Sequence, residues 1–203
     1  MWMTPWMWRV ARVLEEVLSP AHIAIGLPIL ICVAAVHPWW IGLAWAAVAA
    51  TGCGIIPYAL ILRGVRTGRL GDRHIYAREQ RAAPLVSSMV SVLVTLGVLL
   101  LGSAPAPVVA IVAAALSGLV WVLALTVGAR WKVSVHAGVA GGAAVALLWL
   151  EPDPFMRWVV VLLAGLVGWS RVYTRSHTPG QVCAGLAMGA LVSGGIFTFI
   201  VSR

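Results

Sequence analysis

FMRWVVVLLAGLVGWSRVYTRSH, from Phe155 to His177, is the stretch on which the reading of this chain turns. Residues 155–170 make an apolar run interrupted only by Arg157, and it stops at Ser170 and Arg171, with His177 six residues on. Ser134 and His136 stand in the same way at the edge of another apolar run, 133–150. Placing a charge in hydrocarbon costs roughly 2.5–3.5 kcal/mol even on lenient scales. An arginine and two histidines at such boundaries therefore have something to hold. Both groups suit an anion, and a phosphate at a lipid surface is the anion that fits the place.

Composition agrees with a membrane setting. Hydrophobic residues make up 62% of 203, charged residues 10%, and the mean hydropathy is +0.99, which defines a polytopic membrane protein. A soluble core of this size could not hide so much apolar surface. Cys32, Cys53 and Cys183 lie inside apolar runs without a CxxC pair, and read as small core hydrophobes rather than a disulfide framework. The N-terminus has neither a leading basic patch nor a small-residue cleavage site, so no signal peptide is expected.

The expected fold is all-α, a transmembrane helical bundle of six to seven spans behind an N-terminal interfacial helix. It is read as a single membrane domain over 1–203, with 1–18 interfacial and 21–201 transmembrane. In the first segment Trp2, Trp6 and Trp8 precede a stretch that puts Trp6, Val10, Val13, Leu14 and Val17 on one helical face. Arg9, Arg12, Glu15 and Glu16 fall on the other, the pattern of a helix lying on the bilayer. Ser19-Pro20 ends it. Apolar runs follow at about 21–36, 39–62, 84–102, 106–128, 133–150, 155–170 and 179–201. They give seven spans, or six if one is re-entrant. The tight turn at His37-Pro38 makes the first two a candidate hairpin. Gly138 with Gly142, and Gly185 with Gly189, have the four-residue spacing of close helix contacts, although small residues are abundant throughout.

Seven spans put the N-terminus and the loops 63–83, 129–132 and 171–178 on one side. That side carries twelve of the fourteen basic residues; Arg157 and Arg203 lie on the other. Discounting Arg73, Arg78, Arg81, Lys132 and Arg171 as candidate site residues leaves seven against two, so the basic side is expected to be cytoplasmic. An even number of spans separates loop 63–83 from Ser134/His136, and these from Arg171/His177. All three groups then reach the same face.

The segment Ser170 to His177, SRVYTRSH, resembles the third signature of the type 2 phosphatidic acid phosphatase family, which includes the vanadium haloperoxidases. That signature reads Ser-Arg, five residues, His, three residues, Asp. Val133-Ser134-Val135-His136 is similar to the second signature, Pro-Ser-Gly-His. The first, Lys, six residues, Arg-Pro, is loosely echoed by DRHIYAREQRAAP at 72–84. The resemblance covers about residues 60–190.

It implies that His177 attacks phosphorus to form a phosphohistidine and that His136 protonates the leaving oxygen. It further implies that Ser134, the amide of Val135 and Arg171 hold the equatorial oxygens, with Ser170 beside them and Lys132 as a second-rank cation. In this scheme fixed donors stabilise the charge, and no metal or other cofactor is required.

Three departures stand out. Gln181 occupies the place of the aspartate; its carbonyl can orient the His177 ring but cannot offset an imidazolium charge. Val133 and Val135 replace the proline and glycine. The first signature is remodelled, leaving Arg78 and Arg81, then Arg73, as phosphate ligands, with Asp72 and Glu79 as orienters. Two acidic residues without a third make a Mg²⁺ site there weaker than pairing with Arg73 or Arg78. Arg63, Arg66 and Arg69 read as topology anchors or headgroup contacts, and His22, His37 and His74 as boundary residues.

The leading functional reading is a lipid phosphatase of the membrane, placed in a bacterial plasma membrane. Its substrate would be an isoprenoid or polyprenyl (di)phosphate or a phosphatidate-like lipid; nucleic acid is not an expected partner. A second reading ionises an allylic diphosphate, as in terpene cyclisation or prenyl transfer, but the chain has no DDxxD-like cluster. A third is a catalytically silent lipid-binding scaffold.

Overall fold

A computed structural model of the protein describes residues 4–203 apart from 74 and 76, and of Arg78 the backbone alone. His74 and Trp2, both singled out above, thus lie outside the described residues. The described chain is all helical: α1 Pro5–Val17, α2 Pro20–Ala35, α3 Trp39–Arg66, α4 Ala82–Leu101, α5 Ala106–Gly128, α6 Val135–Leu150, α7 Pro154–Tyr173 and α8 Pro179–Val201. Prolines open α1, α2, α5, α7 and α8 within their first two positions, where the missing N–H costs nothing.

Each of the seven apolar runs forms one of the helices α2 to α8. Five of these, α3, α4, α5, α7 and α8, are long and apolar enough to cross a membrane. The pair α1–α2, bent by 54°, makes a sixth candidate, and α6 is a shorter apolar helix of 16 residues. The span count by length and composition is therefore five to six, against the six to seven expected. These helices suit an integral membrane protein, and large apolar side chains such as Leu30, Trp40, Leu93, Val94, Leu101, Trp158 and Leu162 point outward.

Inside, Val108, Ile111 and Val112 of α5 meet Ile31 and Cys32 of α2, Ala46 and Ala49 of α3, Val92 and Leu99 of α4, and Phe197 of α8. Where α6 crosses α8 the small residues decide the separation. A Cβ on Gly189 would overlap the Gly138 carbonyl, and one on Gly185 would come within 2.7 Å of the Ser134 carbonyl. Both expected glycine pairs thus meet across one interface, by packing rather than by a hydrophobic drive between helices. Wide π-type turns interrupt α3 at Thr51–Ile55, α5 at Ala124–Gly128 and α8 at Gly189–Gly194. In α3 the Ser91 hydroxyl of α4 donates to the Gly52 carbonyl at 2.7 Å, which meets the need of a backbone acceptor in apolar surroundings.

α1 departs from expectation in the way it turns. Trp6, Val10, Val13 and Val17 are exposed, Arg9 and Arg12 are exposed as well, and the buried residues are Ala11 and Glu15, one turn apart. The charged side of the helix was expected to face water. One carboxylate of that side instead points into the protein, and its partner explains why.

Candidate functional site

The start of α6, the end of α7, the start of α8, the loop before α4 and the α1–α2 elbow converge at one end of the bundle. Local chemistry sets each piece. Ser134 caps α6 by accepting from the Ala137 amide at 3.3 Å, and its own amide donates to the Gln181 carbonyl at 3.3 Å. Thr178 caps α8 in a reciprocal box with Gln181: the Gln181 amide donates to Thr178 Oγ1 at 3.3 Å, and the Thr178 amide donates to Gln181 Oε1 at 3.2 Å. His177, immediately before the cap, is held by its amide donating to the Arg171 carbonyl at 3.1 Å.

The same Gln181 Oε1 lies 3.1 Å from His177 Nδ1. Because the Thr178 N–H can only donate, the atom it meets must be the amide oxygen. Nδ1 of His177 therefore carries the hydrogen, and Nε2 keeps its lone pair. Burial, then the nearby Arg171, with Arg81 and Lys132 adding to them, lowers the His177 pKa to about 4 against the opposing effect of the Gln181 bond. At neutral pH the ring is uncharged.

Three cations surround it. Arg171 is 1% exposed and paired with Glu15 of α1, itself 1% exposed. Its Nε has no hydrogen-bond partner among the described residues, a buried donor without an acceptor. Arg81, at the start of α4, donates from Nε to the Ile75 carbonyl at 3.0 Å and from one terminal nitrogen to the Val133 carbonyl at 3.1 Å. Burial, and then Arg171, lower its pKa to about 10, so it stays charged. Lys132 Nζ donates to the Ser176 carbonyl at 3.4 Å; burial first, then Arg81 and Arg171, lower its pKa against a raising effect of Glu79.

A cavity of about 280 Å³ connects this end to the bundle interior. His177, His136, Arg171, Arg81, Arg73 and Val135 line its polar end. Leu27, Val92, Ile111, Ala115, Ala143 and Ala146 line its depth. From His136 to Ala146 along α6 the lining spans about 15 Å at the helical rise.

The structure thus brings His177, His136, Arg171, Arg81, Arg73 and Val135 to one cavity. Lys132 stands beside it, and Gln181 acts on it through His177. Ser134 and Ser170 are fully buried and committed elsewhere, Ser134 to its cap and Ser170 by donating to the Val167 carbonyl at 2.7 Å; neither lines the cavity. Asp72 is half-buried in the preceding loop, its carbonyl accepting from the Ile75 amide at 3.1 Å, and the Nδ1 partner of His177 is Gln181 instead. Arg73 pairs with Glu16 at 2.9 Å. The Arg78 side chain lies outside the described residues.

Glu15 and Glu16 did not figure among the expected site residues. A signal existed: two of only six acidic residues stand together, just before the first apolar run, on the side expected to carry the site arginines.

Two histidines and two buried arginines thus stand at the polar end of an apolar cavity, within a bundle whose helices include several long and apolar enough to cross a membrane. Residues 129–203, which hold both histidines and Arg171, match the model of the PAP2 superfamily, and over that stretch the chain is similar to that superfamily. No curated protein and no solved structure matches the chain.

Proposed function

We propose that the protein hydrolyses a phosphate monoester or diphosphate of a lipid, an isoprenoid (di)phosphate or a phosphatidate-like molecule. The observation that carries this reading is the two-part cavity. Its polar end offers cations and histidines to a phosphate, and its apolar depth offers a seat to a chain. Neutral His177, with Nδ1–H held by Gln181, directs the Nε2 lone pair at phosphorus. The bond between phosphorus and the leaving oxygen breaks as the Nε2–P bond forms, and His136 gives that oxygen a proton. Water then attacks the phosphohistidine, His136 takes back the proton, and inorganic phosphate leaves with His177 neutral again. Arg171, Arg81 and Lys132 stabilise the charge on the equatorial oxygens throughout. The site faces the cytoplasm in this reading, as the basic loops favour, within a bacterial plasma membrane.

The test is phosphate release by detergent-purified protein from a panel of isoprenoid and glycerolipid phosphates, with mass spectra of the products. Free alcohol or monophosphate supports the proposal. A cyclised hydrocarbon or prenylated product indicates the ionising enzyme, and tight binding without turnover indicates the silent scaffold.

A further inference from the structure

The position of Glu15 goes beyond the two histidine motifs. Its carboxylate meets the guanidinium of Arg171, a residue that lines the cavity, and both side chains are 1% exposed. An ion pair this deeply buried loses water on both partners, and such a loss is tolerated only when the partners satisfy each other closely. A carboxylate and a phosphate present the same planar-fork partner to an arginine: two oxygens, negative charge, paired N–H donors. Glu15 therefore sits on a group the phosphate would need.

It reaches that place because α1 folds back. The elbow between α1 and α2 bends by 54°, capped by Ser19 accepting from the His22 amide at 3.4 Å, while the His22 ring Nδ1 donates to the Glu16 carbonyl at 2.7 Å. One residue on from Glu15, Glu16 pairs with Arg73, so both carboxylates of α1 hold arginines that line the cavity. Away from this inner side Trp6, Val10, Val13 and Val17 are all exposed, the face that suits the bilayer surface. Within the protein α1 is held by packing at Ala11 and by two ion pairs, Glu15 with Arg171 and Glu16 with Arg73, for whose arginines an incoming anion would compete.

We infer that α1 is a lid whose Glu15 occupies the Arg171 subsite in the resting protein, and that a phosphate group enters by displacing it. This rests on the proposed reading of the site as a phosphate site. Glu15 is on this account a specificity-determining residue: it excludes weak or singly charged anions and admits a group that outcompetes a carboxylate for Arg171. The lid and the nucleophile are coupled, because the backbone carbonyl of Arg171 holds the His177 amide.

The experiment uses the full-length protein in detergent with inorganic phosphate as the probe. Calorimetric titration compares the native chain with Glu15→Gln, and hydrogen exchange follows the peptide Pro5–Val17 in the native chain, where no substitution can disturb folding. If the lid is closed in about nine molecules of ten, the apparent Kd of the native chain is raised about tenfold over that of an open site. Glu15→Gln should then bind phosphate about tenfold more tightly. Saturating phosphate should accelerate exchange across Pro5–Val17 in the native protein, as α1 loses its inner contacts. Equal or weaker phosphate affinity in Glu15→Gln overturns the competition. Unchanged exchange of Pro5–Val17 at saturation overturns the displacement, even where phosphate binds. No phosphate binding by either protein removes the phosphate site itself, and the lid with it.

Discussion

Replacing Gln181 by aspartate tests the chemistry at its most sensitive point. The Gln181 oxygen lies 3.1 Å from His177 Nδ1 and is a neutral acceptor. A carboxylate there attracts an imidazolium with about 4 kcal/mol at 4 Å and an effective dielectric constant near 20. At about 1.36 kcal/mol per pKa unit, that is an upper bound of about three units. The aspartate is one methylene shorter and the site opens to water, so a rise of about 1–3 units is the working range. His177, held at about 4 in the native chain, should then titrate between about 5 and 7. The nucleophile must be neutral in the free enzyme, so the acidic limb of kcat/KM follows this pKa. The native chain should keep its activity down to pH values near 4, and Gln181→Asp should lose activity already in the mildly acidic range. Above the limb, the carboxylate stabilises the imidazolium-like phosphohistidine, and kcat should rise. The measurement is lipid-phosphate hydrolysis by both proteins from about pH 3 to 9, resolved into kcat and KM. An acidic limb that does not move would show that His177 is not the group whose neutrality limits the rate, and the nucleophile assignment would fall. A loss of kcat with raised KM would show instead that added negative charge is felt by the phosphate more than by the imidazole.

Other outcomes follow from the same geometry. His177→Ala should abolish turnover, whereas His136→Ala should slow it by about 10²–10⁴-fold and leave phosphate trapped on the protein, detectable as acid-labile label; full activity in His177→Ala would remove the mechanism. Ala143→Phe should fill the cavity depth beside Ala146, and losing burial of about three methylenes at about 0.8 kcal/mol each should lower kcat/KM for long chains by about fiftyfold while sparing short ones; equal loss for all chain lengths would place the tail elsewhere. Cysteines at Thr67 and Asp153 should react with an impermeant thiol reagent from opposite sides, Thr67 from the cytoplasm; external labelling at 67 in intact cells would reverse the orientation.

The helices were legible because each is written in one uninterrupted apolar run, a local property that needs no knowledge of partners. The convergence of Ser134/His136 with Arg171/His177 was legible for a related reason: counting spans is enough to bring ends together. What escaped depends on tertiary contact. The apolar stripe of α1, Trp6, Val10, Val13 and Val17, faces out as a helix on the bilayer requires, but Glu15 of its polar side turns in to meet Arg171, a partner 156 residues away in sequence. Ser134 and Ser170 carry hydroxyls that suit a phosphate, yet backbone geometry engages both first. The place of Arg81 could not be read from spacing, since what fixes it is a carbonyl of Val133 some fifty residues away in sequence. The upper count of seven spans, with six as its alternative, came from runs that form seven helices, but a helix of 16 residues such as α6 does not by length alone specify a crossing.

One departure from the motif pattern, glutamine at 181, makes sense together with glutamate at 15, outside the motifs, as a placement of negative charge on Arg171 rather than beside His177. A carboxylate beside His177 would raise its pKa and favour its positive, phosphorylated state, but would leave part of the resting population protonated and unable to attack. Gln181 fixes the tautomer without that cost, so the ring is neutral across the whole physiological range. The carboxylate is held by Arg171 instead, where it balances one cation of the cluster formed with Arg81 and Lys132. On the proposed reading, the arrival of a phosphate exchanges this protein-borne charge for the substrate's own, and the cations meet the anion with no competing carboxylate. The imidazolium-like intermediate is then stabilised by the bound phosphoryl oxygens rather than by a side chain. On that reading the site is poised in its nucleophile and closed in its anion grip, and the charge of the substrate is what opens it.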